Sequence, residues 1–228
     1  MLFKFSKRQK YAYSTALLSG TAILLFLIHP DNKTLHARGP MNTGHEKLKC
    51  IACHKPVKGS LRQRLQHNAR YLIGKVKKPV SLGHSTVGNS ECQQCHARPN
   101  DRHPIYRFSE PKFIKLRKTL APHECNSCHK EHSALRVTNK IDYCMHCHEE
   151  LVINKDPIDI PHQALVKKEN WDSCLGCHDY HGNHVRQAQN KLDQAFSKEI
   201  VINYFNKGES PYSDKKQYKT KRITKYEY

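Results

Sequence analysis

All ten cysteines of the chain fall into five copies of one pattern, Cys-x-x-Cys-His. The copies are Cys50-Ile-Ala-Cys53-His54, Cys92-Gln-Gln-Cys95-His96, Cys125-Asn-Ser-Cys128-His129, Cys144-Met-His-Cys147-His148 and Cys174-Leu-Gly-Cys177-His178. No cysteine is left over. Whatever one copy binds must be bound five times between residues 50 and 178, and this limits the fold more than any hydrophobic pattern does. The 228 residues fit one domain or two small ones. Hydrophobic residues make up 37%, partly in an N-terminal apolar segment. What remains is thin for a self-sufficient core, and such chains rely on covalent or metal staples.

Three chemistries use a Cys-x-x-Cys pair. Zinc takes four cysteine or histidine ligands but does not require histidine directly after the second cysteine. Structural disulfides suit an exported protein but impose no fixed histidine either. A thioredoxin-like redox motif expects one copy in an alternating strand–helix pattern, which is absent. At this chain's histidine frequency, five such histidines arise by chance about once in half a million chains. Cys-x-x-Cys-His is the attachment sequence of haem c. Two thiols join the vinyl groups on one porphyrin edge, and the next histidine lies under the ring, where its imidazole binds iron. The expected cofactor is therefore five covalent haem c groups. Each pair from Cys50/Cys53 to Cys174/Cys177 holds one, with His54, His96, His129, His148 and His178 as proximal iron ligands.

With these motifs, the stretch from about His45 to His184 resembles the class III-type multihaem cytochromes c, in a membrane-anchored, pentahaem form. The resemblance implies histidine on both faces of each iron, little regular secondary structure, and electron transfer between partners. The fold class expected is mostly irregular with small α-helices around stacked haems, plus one N-terminal transmembrane helix.

Axial ligand choice sets the potential, methionine raising it and a second histidine leaving it low. Beyond Met1 the chain has only Met41 and Met145, and Met145 is confined to an attachment loop. Twelve histidines remain after the five proximal ones. One lies upstream of each motif, so the expected sixth ligands are His45, His84, His123, His132 and His162. His123 is too close to Cys125 to reach that haem's far face and is expected to serve a neighbouring iron. His103, His181 and His184 are reserves. His67 sits in a basic stretch, His146 inside an attachment loop, and His29 and His36 beside the membrane segment.

Residues 1–30 read as an anchor. Lys4, Lys7, Arg8 and Lys10 precede an uncharged run from Tyr11 to Ile28, long enough to cross a bilayer. Positive charge before it keeps the N-terminus in the cytoplasm and sends the rest across a bacterial inner membrane into the periplasm. The alternative is a cleaved signal and a soluble periplasmic protein; the cleavage site around Ala37 is poor, with Leu35 two positions before it. Residues 41–185 form the expected pentahaem domain. In residues 186–228, an amphipathic helix through Leu192, Phe196, Ile200 and Tyr204 is expected ahead of a disordered Lys/Tyr-rich tail. Around the porphyrins, Trp171, Phe108, Phe113, Tyr106 and Tyr143 are expected to pack.

The formal charge is +19. Each ferric haem with two ionised propionates subtracts about one, which leaves about +14. No nucleic-acid recognition motif is present. From Lys55 to Ser90 there are eight Lys or Arg and no acid. The helical periodicity of "SLRQRLQHNARYLIGKV" makes this a basic helix that rests on anionic headgroups, binds a partner, or simply balances propionates.

Three functions fit these residues. The leading one is electron transfer between redox partner proteins in a respiratory chain, with no catalytic residues. The second is a membrane-anchored, quinol-oxidising cytochrome drawing on the quinol pool; no methionine follows an attachment histidine closely, as would be expected there. The third is a multihaem reductase of a small anion. Such enzymes need an open iron position and often carry lysine in place of the attachment histidine, whereas all five motifs here end in histidine.

Overall fold

A computed structural model describes residues 6–29, 31, 32, 35 and 37–227. Lys4 of the basic flank and His36 lie outside the described residues. Helix α1, Lys7–Ile28, begins at a reciprocal cap: the Ser6 hydroxyl accepts from the Gln9 N–H while the Gln9 side chain accepts from the Ser6 N–H. It stops at His29, whose ψ of 134° is the extended value favoured before a proline. At 22 residues it is about 33 Å long, and none of its spanning window is buried against the rest of the protein. Among the described residues it is the one helix long and apolar enough to cross a membrane.

The rest is short helices joined by irregular chain, which matches the small-α, irregular part of the expected fold class. Helix α2, Leu61–Leu72, starts at a second reciprocal cap between Ser60 and Gln63. Then come α3 (Asn89–Gln93), α4 (Ile114–Thr119), α5 (Cys125–Cys128), α6 (Met145–His148), α7 (His162–Lys167), α8 (Cys174–Cys177) and α9 (Lys198–Asn206). The described residues contain no β-strand, only isolated bridges joining Leu48 to Glu227, Pro56 to His84, and His184 to Lys216.

The core made by protein atoms is small. Val201 on α9 is fully buried with Ile141 and Leu175, ringed by Tyr180, Phe196 and Phe205. Trp171 and Phe108 are buried, and Phe113 meets Phe108 edge-on at 5.4 Å. Burial of Tyr143 lifts its phenol to about 12, whereas Tyr106 is 73% exposed.

Two expectations for the C-terminal region need correction. The long helix is present only from Lys198 onward. Ala195 and Ser197 are extended, and the Phe196 N–H donates to the Gly176 carbonyl inside the fifth motif (3.1 Å). A Cβ on Gly176 would collide with the Phe196 carbonyl, so this glycine lets the chain pass against the motif. The tail, expected to be disordered, lies across the body. The Tyr212 hydroxyl donates to the Leu175 carbonyl (2.7 Å), the Lys221 N–H to Cys95 (2.8 Å), and the Lys49 N–H to Tyr226 (2.7 Å). Low hydrophobicity predicted a free tail; backbone pairing and tyrosine contacts, which composition does not register, hold it.

Val201→Ala removes two methyl groups from the most buried position and should cost about 2 kcal/mol. Val152→Ala, at a site 65% exposed, should change stability by less than about 0.5 kcal/mol. Thermal unfolding midpoints of the two variants check this ordering.

Candidate metal centres

Each of the five motifs closes on itself in the same way. The histidine N–H donates to the carbonyl of the first cysteine four residues back, at 2.9 Å for His54, 3.0 Å for His96, 3.0 Å for His129, 3.1 Å for His148 and 2.8 Å for His178. That is one α-helical turn, and it sets the two cysteines at i and i+3 on one face. The first motif makes its turn in 3-10 form over Cys50–Ala52. The third and fifth are α5 and α8 themselves. No disulfide joins any of the ten cysteines. Such a turn presents two thiols together with an imidazole beside them, the donor arrangement haem attachment requires.

Opposite every motif histidine stands the ring of a second histidine. Ring centres are 5.9 Å apart for His96 and His45, 6.1 Å for His129 and His181, 6.2 Å for His148 and His103, and 6.1 Å for His178 and His162. His54 faces two, His84 at 6.0 Å and His132 at 6.3 Å. Aromatic pairs in general span this range, so one such distance is uninformative; the regularity across all five motifs carries the inference. Two metal–nitrogen bonds of about 2 Å, with each ring centre about 1.1 Å behind its nitrogen, put coaxial imidazole centres about 6.2 Å apart.

The hydrogen bonds complete the arrangement. Nδ1 of His45 meets Glu131 at 2.9 Å, that of His162 meets Asp156 at 2.8 Å, and that of His181 meets Asp101 at 2.8 Å. Backbone carbonyls take the others, Tyr180 for His103 (2.7 Å) and Gly39 for His132 (3.2 Å). On the motif side, His129 Nδ1 meets the Arg136 carbonyl at 2.7 Å. With Nδ1 occupied, Nε2 is the nitrogen left for a metal, and the outer partner fixes tautomer and ring orientation. Burial lowers the pKa of His96 to about 4 and depresses those of His103, His129 and His178, which keeps them in the neutral form that binds metal. Burial opposes ionisation of Glu131 and Asp101 most strongly, yet the histidine hydrogen bonds, added to backbone N–H donors and nearby positive charge, hold both carboxyls below their usual range.

Of the sequence-predicted sixth ligands, His45, His132 and His162 stand opposite motif histidines with Nδ1 anchored. His84 also faces His54, but no ring hydrogen bond holds it among the described residues. At His132 the chain adopts φ +65°, and a Cβ on Gly39 would collide with the His132 carbonyl, so glycine permits that approach. His123 has no motif histidine opposite it among the described residues. Its Nε2 lies 3.6 Å from Glu124, and its Nδ1 is buried without a hydrogen-bond partner. The reserves His103 and His181 take places opposite His148 and His129. His184 has both nitrogens engaged, by Asp179 at 2.8 Å and Ser210 at 3.3 Å, which makes it a structural histidine. His67 Nε2 meets the Lys78 carbonyl at 3.0 Å.

The spacing of His181, three residues after His178, marks it in the sequence as a ligand candidate, but upstream position ranks other histidines higher. His103 carries no local signal. Their partners are distant in sequence because a ligand tied to the same turn as its thiols cannot reach the opposite face.

The pairs are in contact with one another. Tyr180 stacks on His103 at 4.2 Å and meets His181 edge-on at 5.0 Å. Hydrogen bonding between Cys92 and Cys125 raises the pKa of the Cys92 thiol, and the same contact between Cys144 and Cys174 raises that of Cys144. The second motif thus touches the third, and the fourth touches the fifth. Buried donors on Arg186 Nη1, Tyr143 and Tyr218 lack hydrogen-bond partners among the described residues. These are the groups that would satisfy haem propionates. Among the described residues no three His, Cys, Asp or Glu side chains converge as a metal cluster; the imidazoles are arranged as opposed pairs.

If the motifs carry haem, removing His181, His103 or His162 should each produce one high-spin signal in the electronic and EPR spectra, whereas His67→Ala and His184→Ala should produce none. The ring planes of His103 and His148 stand at 89° and those of His129 and His181 at 21°. With haem iron bound between them, the first pair should give a strongly axial low-spin EPR signal and the second a rhombic one. No family model, no curated protein and no solved structure matches the chain.

Proposed function

We propose that the chain is an electron-transfer protein holding five covalent c-type haems, each with histidine on both faces. The single observation that carries this reading is the opposed, Nδ1-anchored histidine ring about 6 Å from every motif histidine. The residues fit the group: the ten motif cysteines would attach it, and His54, His96, His129, His148 and His178 would bind from one side. His132, His45, His181, His103 and His162 would bind, in that order, from the other. Haem, when bound, supplies one-electron iron chemistry.

The protein's own contribution is to fill both axial positions, exclude substrate from the metal and set the potential. Filled axial positions favour a carrier over a reductase. Contacts between neighbouring motifs through their cysteines and through Tyr180 suit transfer over short distances. With α1 in the membrane and Lys7, Arg8 and Lys10 before it, the haem-bearing body would lie in the periplasm. Quinol oxidation is the second reading, favoured by the apolar α1, which would hold the body at the lipid surface.

Intact-mass and iron analysis of the matured protein should return five covalent haems per chain, and carbon monoxide should leave the reduced spectrum nearly unchanged. Zinc in place of iron, or a stoichiometric high-spin haem in the native protein, would sink the carrier reading. The carboxylates behind His45, His162 and His181 make those imidazoles stronger donors and stabilise the ferric state. Glu131→Gln, Asp156→Asn and Asp101→Asn should therefore each raise one midpoint potential by about 50 mV, equivalent to about 1 kcal/mol. A spectroelectrochemical titration reads this directly.

A further inference from the structure

Helix α2 is docked by its polar edge. The Asn68 amide exchanges hydrogen bonds with the Val80 backbone at 2.8 and 2.9 Å, His67 Nε2 meets the Lys78 carbonyl, and Arg64 donates to the Leu82 carbonyl. At 100° per residue, Leu61, Leu65 and Leu72 fall within about 40° of one another, on a stripe that borders Asn68 and lies about 90° round the helix from the middle of the edge made by Arg64, His67 and Asn68. That stripe faces outward: all three leucines are exposed, Leu72 to 82%, and Ile73 beyond the helix end is 66% exposed. A surface helix of a globular protein ordinarily does the reverse, turning its apolar stripe to the core.

Exposed cations lie on the same helix and just after it. Arg62 and Arg70 on α2, and Lys75, Lys77 and Lys78 just after it, are all exposed. None forms an ion pair among the described residues, and no acid occurs between Lys55 and Ser90. Outward leucines flanked by unpaired Lys and Arg form the surface that buries apolar side chains at the acyl boundary and sets cations among anionic headgroups. The same chain carries α1, which is long enough to span a bilayer and is joined to α2 by residues 29–60. A tether of that kind raises the effective concentration of α2 at a lipid surface, so a modest intrinsic affinity suffices.

We propose that α2, with residues 73–78, is a second membrane contact that lies on anionic phospholipid headgroups beside the spanning segment. It orients the body against the bilayer, where α1 alone would leave it free to swing. The contact does not depend on what the Cys-x-x-Cys-His motifs bind.

The experiment compares the full-length matured protein in nanodiscs of phosphatidylcholine alone and of phosphatidylcholine with phosphatidylglycerol, followed by hydrogen exchange of residues 61–78. Exchange should slow on the order of tenfold in the anionic discs and recover at high salt. A variant with Arg62, Arg70, Lys75, Lys77 and Lys78 changed to Gln should lose the difference, and Leu65→Ser with Leu72→Ser should reduce it, while the tail segment 212–221 reports that the fold is intact. Equal exchange in both discs would overturn the proposal. Equal protection in detergent would do the same, because it would mean that the leucines are covered within the protein. Protection that appears only on adding an acidic soluble protein would assign the surface to a protein partner instead.

Discussion

Everything in the body of this protein is organised around one hydrogen bond made five times, from a motif histidine N–H to the carbonyl of the first cysteine. It closes a single helical turn, and that turn alone brings two thiols and an imidazole to one place. An isolated turn has too few hydrogen bonds to hold itself together. Four of the five are therefore held from outside, by the extended chain at Phe196 against Gly176, by the tail at Cys95, and by neighbouring motifs through Cys92 and Cys125 or Cys144 and Cys174.

The opposed histidines extend that logic over long sequence distances. Four of the five anchored pairs join a motif to a histidine belonging to a different part of the chain. Metal bonds across such pairs would act as cross-links that close large loops, and closing long loops gives the largest entropic stabilisation. Such cross-links would account for how a chain with a small apolar cluster around Val201 among the described residues dispenses with a larger one. The carboxylates Glu131, Asp156 and Asp101 belong to the same design: each fixes a ring's orientation and adds negative charge behind it.

The two amphipathic segments illustrate how pattern and burial separate. In α9 the buried Val201 anchors the helix to the body, although the helix is shorter than its apolar periodicity implies. In α2 the periodicity predicts the helix, yet Leu61, Leu65 and Leu72 are exposed. Periodicity reports that a face exists; what the face meets depends on the partner surface available.

The sequence by itself determined the five motifs, the apolar N-terminal helix and the scarcity of hydrophobic residues for a sizeable core, because each follows from local spacing or composition. His45, His132 and His162 were legible as ligand candidates because position beside a motif is a fair guide to reach. Only the tertiary structure brought His103 to His148 and His181 to His129, left His123 without an opposing motif histidine, and committed His184 to Asp179 and Ser210. Those outcomes depend on chain segments distant in sequence meeting in space, and on which nitrogen of each ring finds an acceptor. Neither is written in the spacing of a histidine from its nearest cysteine.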